Sequence, residues 1–287
     1  MSAISADLEL RAPSKQSRWS RAWRYPSLTI GATLFIVILI AVLIVPLFLS
    51  AGPDTQDLTA ILQGPSIHHL LGTDELGRDE LTRLLYAGRT DLKVGVLAVL
   101  FPFCFGTAMG VLAGFYGGWL DWVVMRIVDV LVAFPFYVLV IALVFVVGTG
   151  TRGIIIAFAI ADWVVYARTV RSATLVVREA EYVAAARVGG LGDIRLLARH
   201  VLPNVVTQAI VYVMTDVVLV IVAVVTLGYL GLGVQPPTPD WGAMINDGQS
   251  FITTQWWLST IPGIAVVLTG LSLSLIGDGL ADVLRAG

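Results

Sequence analysis

Residues 179–204 read EAEYVAAARVGGLGDIRLLARHVLPN, a charged and glycine-broken stretch lying between two long apolar segments. Helix formers from Glu181 to Val188 run into Gly189 and Gly190, which must end a helix. Asp193 then stands where it can cap a second short helix, Ile194 to Val201, and Leu202-Pro203-Asn204 can turn the chain into the next apolar segment. The expected local structure is helix, sharp turn, helix. Arg187, Arg195 and Arg199, with Arg168, Arg171 and Arg178 on the approach, hold nearly all the arginine of the second half of the sequence. Two readings are open. Ala184, Ala185 and Ala186 with Gly189 and Gly190 form a small-residue knuckle able to fit a partner's groove, or the loop is basic only because it faces one side of a bilayer.

A bilayer is implied by what flanks this stretch. Of the 287 residues 57% are hydrophobic and 13% charged, about half the charged fraction of an ordinary soluble domain. Leu28 to Leu49 carries no charge and as a helix spans roughly 33 Å, enough for the hydrocarbon core. It is too long for a signal-peptide core and lacks a small-x-small cleavage site, so it reads as an uncleaved first helix. Further spans are expected at Leu92 to Phe115, Val123 to Val147, Ile154 to Val170, Val205 to Leu232 and Leu258 to Gly277. The reading is an all-α polytopic membrane protein of six transmembrane helices, or five if the short fourth span fails. Its divisions are a cytoplasmic segment 1–27, an anchor helix 28–50, an extracytoplasmic segment 51–91, and a five-helix core 92–287 with the loop 172–204 inside it.

Arginine and lysine placement sets the orientation. Arg11, Lys15, Arg18, Arg21 and Arg24 precede the first helix, and the six arginines from Arg168 to Arg199 join spans four and five, whereas Gly233 to Trp257 has none. Both termini and the Glu181 loop are therefore expected in the cytoplasm. Arg78, Arg83 and Arg89, in the external segment, pull the other way.

Gly106, Gly110 and Gly114 recur every fourth residue and mark a close helix–helix seam, either ordinary bundle packing or a sliding surface. Gly228, Gly231 and Gly233, and Gly263, Gly270 and Gly277, suggest similar contacts. Arg126 and Asp129 can pair on one face near the cytoplasmic end of span three. Asp162 and Asp216 lie deeper with no partner within a helical turn, so they either line a water-filled path for a polar substrate or pair across helices. Cys104, the single cysteine, permits no intrachain disulfide and reads as a small core residue. His68 and His69 lack further ligands nearby and make a poor metal site, so none is expected. Gly148, Gly150 and Gly153 spell a dinucleotide-type glycine pattern, but between two membrane helices it reads as a tight turn. No nucleotide-binding loop and no catalytic constellation appears, and a net charge of −2 gives no argument for nucleic acid.

The Glu181 loop resembles the EAA motif of ABC importer permeases, whose coupling helix inserts into the ATP-hydrolysing subunit. Ala185, Ala186, Gly190, Leu202 and Pro203 match its positions. Ala184 stands where the general motif has glutamate and His200 where it has isoleucine, while Glu181 and Arg199-His200 are similar to the peptide-transporter branch. Leu71 to Asp79, LGTDELGRD, with Arg83-Leu84-Leu85-Tyr86, resembles the external signature of dipeptide, oligopeptide and nickel permeases. Gly231 to Gly242, GLGVQPPTPDWG, is similar to their last interhelical loop, with Asp240 in place of serine. Gly277-Asp278-Gly279-Leu280 and Asp282 resemble their C-terminal end, and Val224 replaces an acidic residue the branch often has. The matches run from about Pro65 to Leu284.

The resemblance implies a type I ABC importer permease fold in a bacterial plasma membrane, and the C-type member of a permease pair. It implies as partners a second related permease, two ABC ATPase subunits or a fused one, and an extracytoplasmic binding protein; ATP and magnesium would sit on the ATPases, with no cofactor in this chain. On it, Glu181, Tyr182, Ala185, Ala186, Arg187, Gly190, Arg199, His200, Leu202 and Pro203 would couple to the ATPase. Gly72, Thr73, Asp74, Leu76, Gly77, Arg78 and Asp79 would face the binding protein or a gate. Asp162, Asp216, Gln235, Asp240 and Trp241 are the path or gate candidates. The expected cargo is a dipeptide or short oligopeptide, with nickel or another small polar solute as the alternative. An autonomous channel or an intramembrane enzyme is the rival outside the class.

Overall fold

A computed structural model describes residues 25–49 and 51–285, so the basic residues from Arg11 to Arg24 lie outside the described residues. The described secondary structure is helical. The first helix, α1 (Pro26–Leu43), starts on a proline whose fixed backbone suits a first turn, and a short 3₁₀ turn, Val45–Leu47, follows it. It is apolar on every side, and Ile30, Ile36, Val37 and Ile40 are exposed, as lipid contact requires.

The second helix, α2 (Glu80–Tyr116), is 37 residues long and begins a dozen residues before the apolar span expected from the sequence. Asp79 caps it by accepting from Thr82 N at 2.8 Å. The charges that hid these early turns are neutralised within the fold. Arg83 lies 3.4 Å from Asp74, and Arg89 donates to the carbonyls of Val42 and Leu43, the latter at 2.6 Å, closing the C-terminal end of α1.

Span three is a correction. It is no continuous helix from Val123 to Val147 but two, α3 (Gly118–Val132) and α4 (Phe136–Val147), bent by 93°. Pro135 removes a backbone donor, and the residue before a proline avoids helical geometry, so the break falls at Phe134-Pro135. Span four stands as expected, one stretch from Thr151 to Arg178 with only a local turn at Asp162 between α5 (Thr151–Ala161) and α6 (Trp163–Arg178). The glycine pattern before it is the expected tight turn, with Gly148 and Gly150 at φ 110° and 95°.

After α7 (Glu181–Val188), the chain forms a short helix α8 (Asp193–Leu196), a π turn Leu197–Val201, and α9 (Leu202–Tyr229) without interruption. The turn expected at Leu202-Pro203-Asn204 is therefore absent. Pro203 sits in the first turn of α9, where its missing donor is not needed, and the wider π turn makes room for its ring. Gly192, not Asp193, is the cap of α8. A short α10 (Trp241–Gln249) precedes the last helix, α11 (Trp257–Arg285).

Five of these helical stretches are long and apolar enough to cross a membrane, and the bent pair α3–α4 makes a sixth when its halves are taken together. α2 runs against α6 along the glycine seam. A Cβ at Gly110 would lie 2.5 Å from the Ala167 carbonyl oxygen, and one at Gly114 2.7 Å from Thr174 Cβ. The seam is thus packing within this chain. α1 and α11 pair in the same way through Gly31 and Gly279, and Gly277 approaches Met214 of α9. Among the described residues nothing lies within contact of a Cβ at Gly263, so that expected contact is not made there. The main core lies among α2, α4, α5, α6 and α9, around Val94, Val140, Phe158, Tyr166 and Val220. Cys104 is another correction: it lies on the exposed side of α2, not in the core.

Candidate functional site

Three places gather the residues singled out in the sequence. The first is the α7–α8 knuckle. Its inner face is clamped: Val183, Leu196 and Val201 are fully buried in a cluster with Val111, Phe115 and Val170 of α2 and α6. Arg187 lies over the Phe115 ring at 6.0 Å, which fastens the knuckle to the end of α2, and Arg178 donates to the Gly114 carbonyl at 2.8 Å, joining α6 to α2 there. Arg171 and Asp121 form a bidentate pair that ties α3 to α6. The outer face is bare. Val188 and Ile194 are 89% and 80% exposed, with Tyr182 beside them, and Gly192, Asp193, Ile194, Arg195 and Ala198 line an open recess.

Of the coupling residues, Glu181, Tyr182, Ala185, Arg187, Gly190, Arg199, Leu202 and Pro203 are exposed, and Ala186 and His200 are half-buried. Gly190 makes the reversal at φ 84°. The sequence reading missed Val188 and Ile194, although two β-branched apolar residues flanking a glycine turn in a charged loop are a legible sign of a surface meant to be covered.

The second place is the external signature. Asp74 Oδ1 accepts from the backbone N–H of Leu76 and Arg78, each at 2.9 Å, and Oδ2 from Arg78 Nε at 2.6 Å. Gly77, at φ 70°, lets the chain fold back so that Asp74 N meets the Arg78 carbonyl at 3.1 Å. Thr73 is fully buried and bonds Gln63 and Ala60, Gly72 O accepts from Glu80 N at 3.1 Å, and Asp79 both caps α2 and holds His69 Nδ1 at 3.0 Å. These polar groups are consumed inside the turn. Leu76 is half-buried, and Glu75 is the exposed residue of the run.

Path candidates Asp240 and Trp241 belong to a structural latch. Asp240 caps α10 by accepting from Ala243 N at 2.9 Å, and its burial pushes the carboxyl up to about 6. Trp241 is buried, with its backbone N–H donating to Asp91 Oδ2 at 2.9 Å and its indole to the Leu84 carbonyl at 3.0 Å. Gln235 bonds the Gly233 carbonyl at 3.0 Å on the loop nearby. Arg126 and Asp129 pair at 4.0 Å as expected, and Arg168 joins them at 3.4 Å.

Asp162 and Asp216 make the third place. They are 3% and 2% exposed and line one cavity of about 240 Å³ with Phe136, Tyr137, Val165, Tyr212, Leu219 and Val220. Tyr166 donates to Asp216 Oδ2 at 2.6 Å. Asp216 is thus linked across helices to Tyr166, and both carboxyls border the cavity. Tyr166 and Tyr212 were missed, yet each stands four residues from one aspartate, the spacing that shares a helix face.

The chain matches the family model described as binding-protein-dependent transport system inner membrane component over residues 106–287. It is 38% identical to the glutathione transport system permease protein GsiD of Pectobacterium atrosepticum, over 96% of this chain and 93% of that one. It is 37% identical to the dipeptide transport system permease protein DppC of Alkalihalophilus pseudofirmus, over 89% and 84%. A GsiD of Escherichia coli is 37% identical over 98% and 95%. With a helical membrane bundle and these matches, the chain belongs to the binding-protein-dependent transport system inner membrane components: it is a multi-pass permease subunit of an ABC importer, a transport component and not an enzyme.

Proposed function

We propose that this permease forms half of the translocation path for dipeptides or short oligopeptides, and that ATP-driven motion enters it through the α7–α8 knuckle. A second related permease chain supplies the other half, two ABC ATPase subunits or a fused one carry ATP and magnesium, and an extracytoplasmic binding protein delivers the cargo. Both termini and the knuckle face the cytoplasm. The observation that carries the reading is the knuckle's two-sidedness. A rigidly anchored inner face transmits displacement, and exposed Tyr182, Val188 and Ile194 offer an apolar surface for a groove. The printed cargo of the relatives, dipeptide and glutathione, supports the peptide class.

The coupling role is tested by Ala186→Glu combined with Gly190→Trp, and by the milder Ile194→Glu. Each variant should reach the membrane and lose co-purification of the ATPases. Unchanged co-purification would refute coupling through this element. Uptake of labelled dipeptide, lost on deletion of this chain, supports the cargo; metal-dependent growth in its place would favour nickel.

A further inference from the structure

The cavity between the bend of α3–α4, the α5–α6 turn and α9 has the chemistry of a cation site. Its floor holds two carboxyl groups from different helices, each at least nine-tenths buried. Asp216 is held by the Tyr166 hydroxyl, but Asp162 Oδ2 meets no hydrogen-bond partner among the described residues while lining the cavity. A buried carboxyl oxygen without a donor is costly, and within a membrane span such a group faces a path or a partner. Either a proton shared with the neighbouring Asp216 carboxyl or a group held in the cavity supplies the missing donor.

The remaining walls say which donor. Phe136, Tyr137 and Tyr212 contribute aromatic rings, and Tyr212 stands edge-on to Tyr166 with centroids 5.0 Å apart. Aromatic faces attract cations, and none of the lining residues is basic. A hard metal ion wants about six to eight oxygen ligands, more than two carboxyls and their phenol neighbours provide. An ammonium group has three N–H donors, suited to one oxygen from each aspartate and an aromatic face. At about 240 Å³ the cavity is smaller than a pocket for a whole drug-sized molecule, roughly 300 Å³ and upward, so it admits an end group with its first carbons. The 93° bend of α3–α4 at Pro135 falls beside this cavity, and a discontinuous helix pair is how a bundle opens room at membrane depth.

We infer that Asp162 and Asp216 form a station for a primary ammonium group, through which the amino end of the cargo is held on its way through the bundle. The inference rests on the peptide reading only for the identity of that amine. The test uses the complete transporter in lipid vesicles and dicyclohexylcarbodiimide, a carboxyl reagent that enters apolar sites, with modification of Asp162 read by mass spectrometry. Butylammonium should slow the modification about tenfold, whereas butanol and butyrate should not. Asp216→Asn should leave Asp162 reactive and abolish the protection. Failure of Asp162 to react, or equal protection by butanol, would overturn the station. Import of dialanine by the unmodified transporter, measured beside it, judges the cargo separately: protection without import leaves the station standing and refutes the peptide reading.

Discussion

Asp74 shows how a charged, apparently external run can be structural. Its carboxylate gathers two backbone donors and two guanidinium groups, so Arg78 and Arg83 are not free charges for topology to act on. Sequence alone counts those arginines against the orientation because pairing across a turn does not show in composition. Asp74→Ala would leave the largely buried Arg78 unpaired and Arg83 with only the 4.0 Å pair to Asp247, and should cost about 3 kcal/mol, read as a drop in melting temperature of the detergent-purified complex. Asp240 predicts the opposite sign. Its folded-state pKa of about 6 lies above the ordinary 3.8, so its favourable contribution is full below 3.8 and is lost as pH rises through 6. Asp240→Asn keeps a good helix cap without the charge. It should raise the melting temperature by several degrees at pH 8, for up to about 3 kcal/mol, and leave it unchanged near pH 3.5.

Helices were legible where apolar runs were unbroken, as in α1 and α9, and misread where Pro135 breaks one. The α3–α4 bend follows from Phe134-Pro135, a signal present in the sequence but outweighed by the continuous hydrophobicity around it. The early start of α2 was hidden because its charges are satisfied by residues distant in sequence, Asp74, Val42 and Leu43. The glycine seam was legible as a close contact, since a four-residue repeat of glycine puts every site of close approach on one helix face. It yields a prediction: Gly110→Leu drives a side chain into the Ala167 carbonyl and should destabilise the α2–α6 pair by about 2 kcal/mol, measured as reduced yield and earlier unfolding. The separate case of Gly263, where a Cβ would meet nothing among the described residues, should tolerate alanine without loss of stability.

In the proposed mechanism, force applied at the knuckle has to reach the interior of the bundle, and the packing offers a continuous route. The knuckle is rooted in Phe115 and Val170, α2 and α6 are locked by the glycine seam, and α6 begins at Asp162. The docking loop could be found in the sequence because its charge and glycine content contrast with everything around it. Its two faces could not, because burial of Val183 and Leu196 depends on how α2 lies beneath them. The decisive measurement places one thiol on the outer face. In a Cys104→Ser background, Val188→Cys should be labelled by a membrane-impermeant maleimide in inverted vesicles stripped of ATPase. It should be protected when the ATPases are restored, and unreactive in intact cells. Labelling from outside intact cells, or labelling indifferent to the ATPases, would contradict entry of the driving motion at this knuckle.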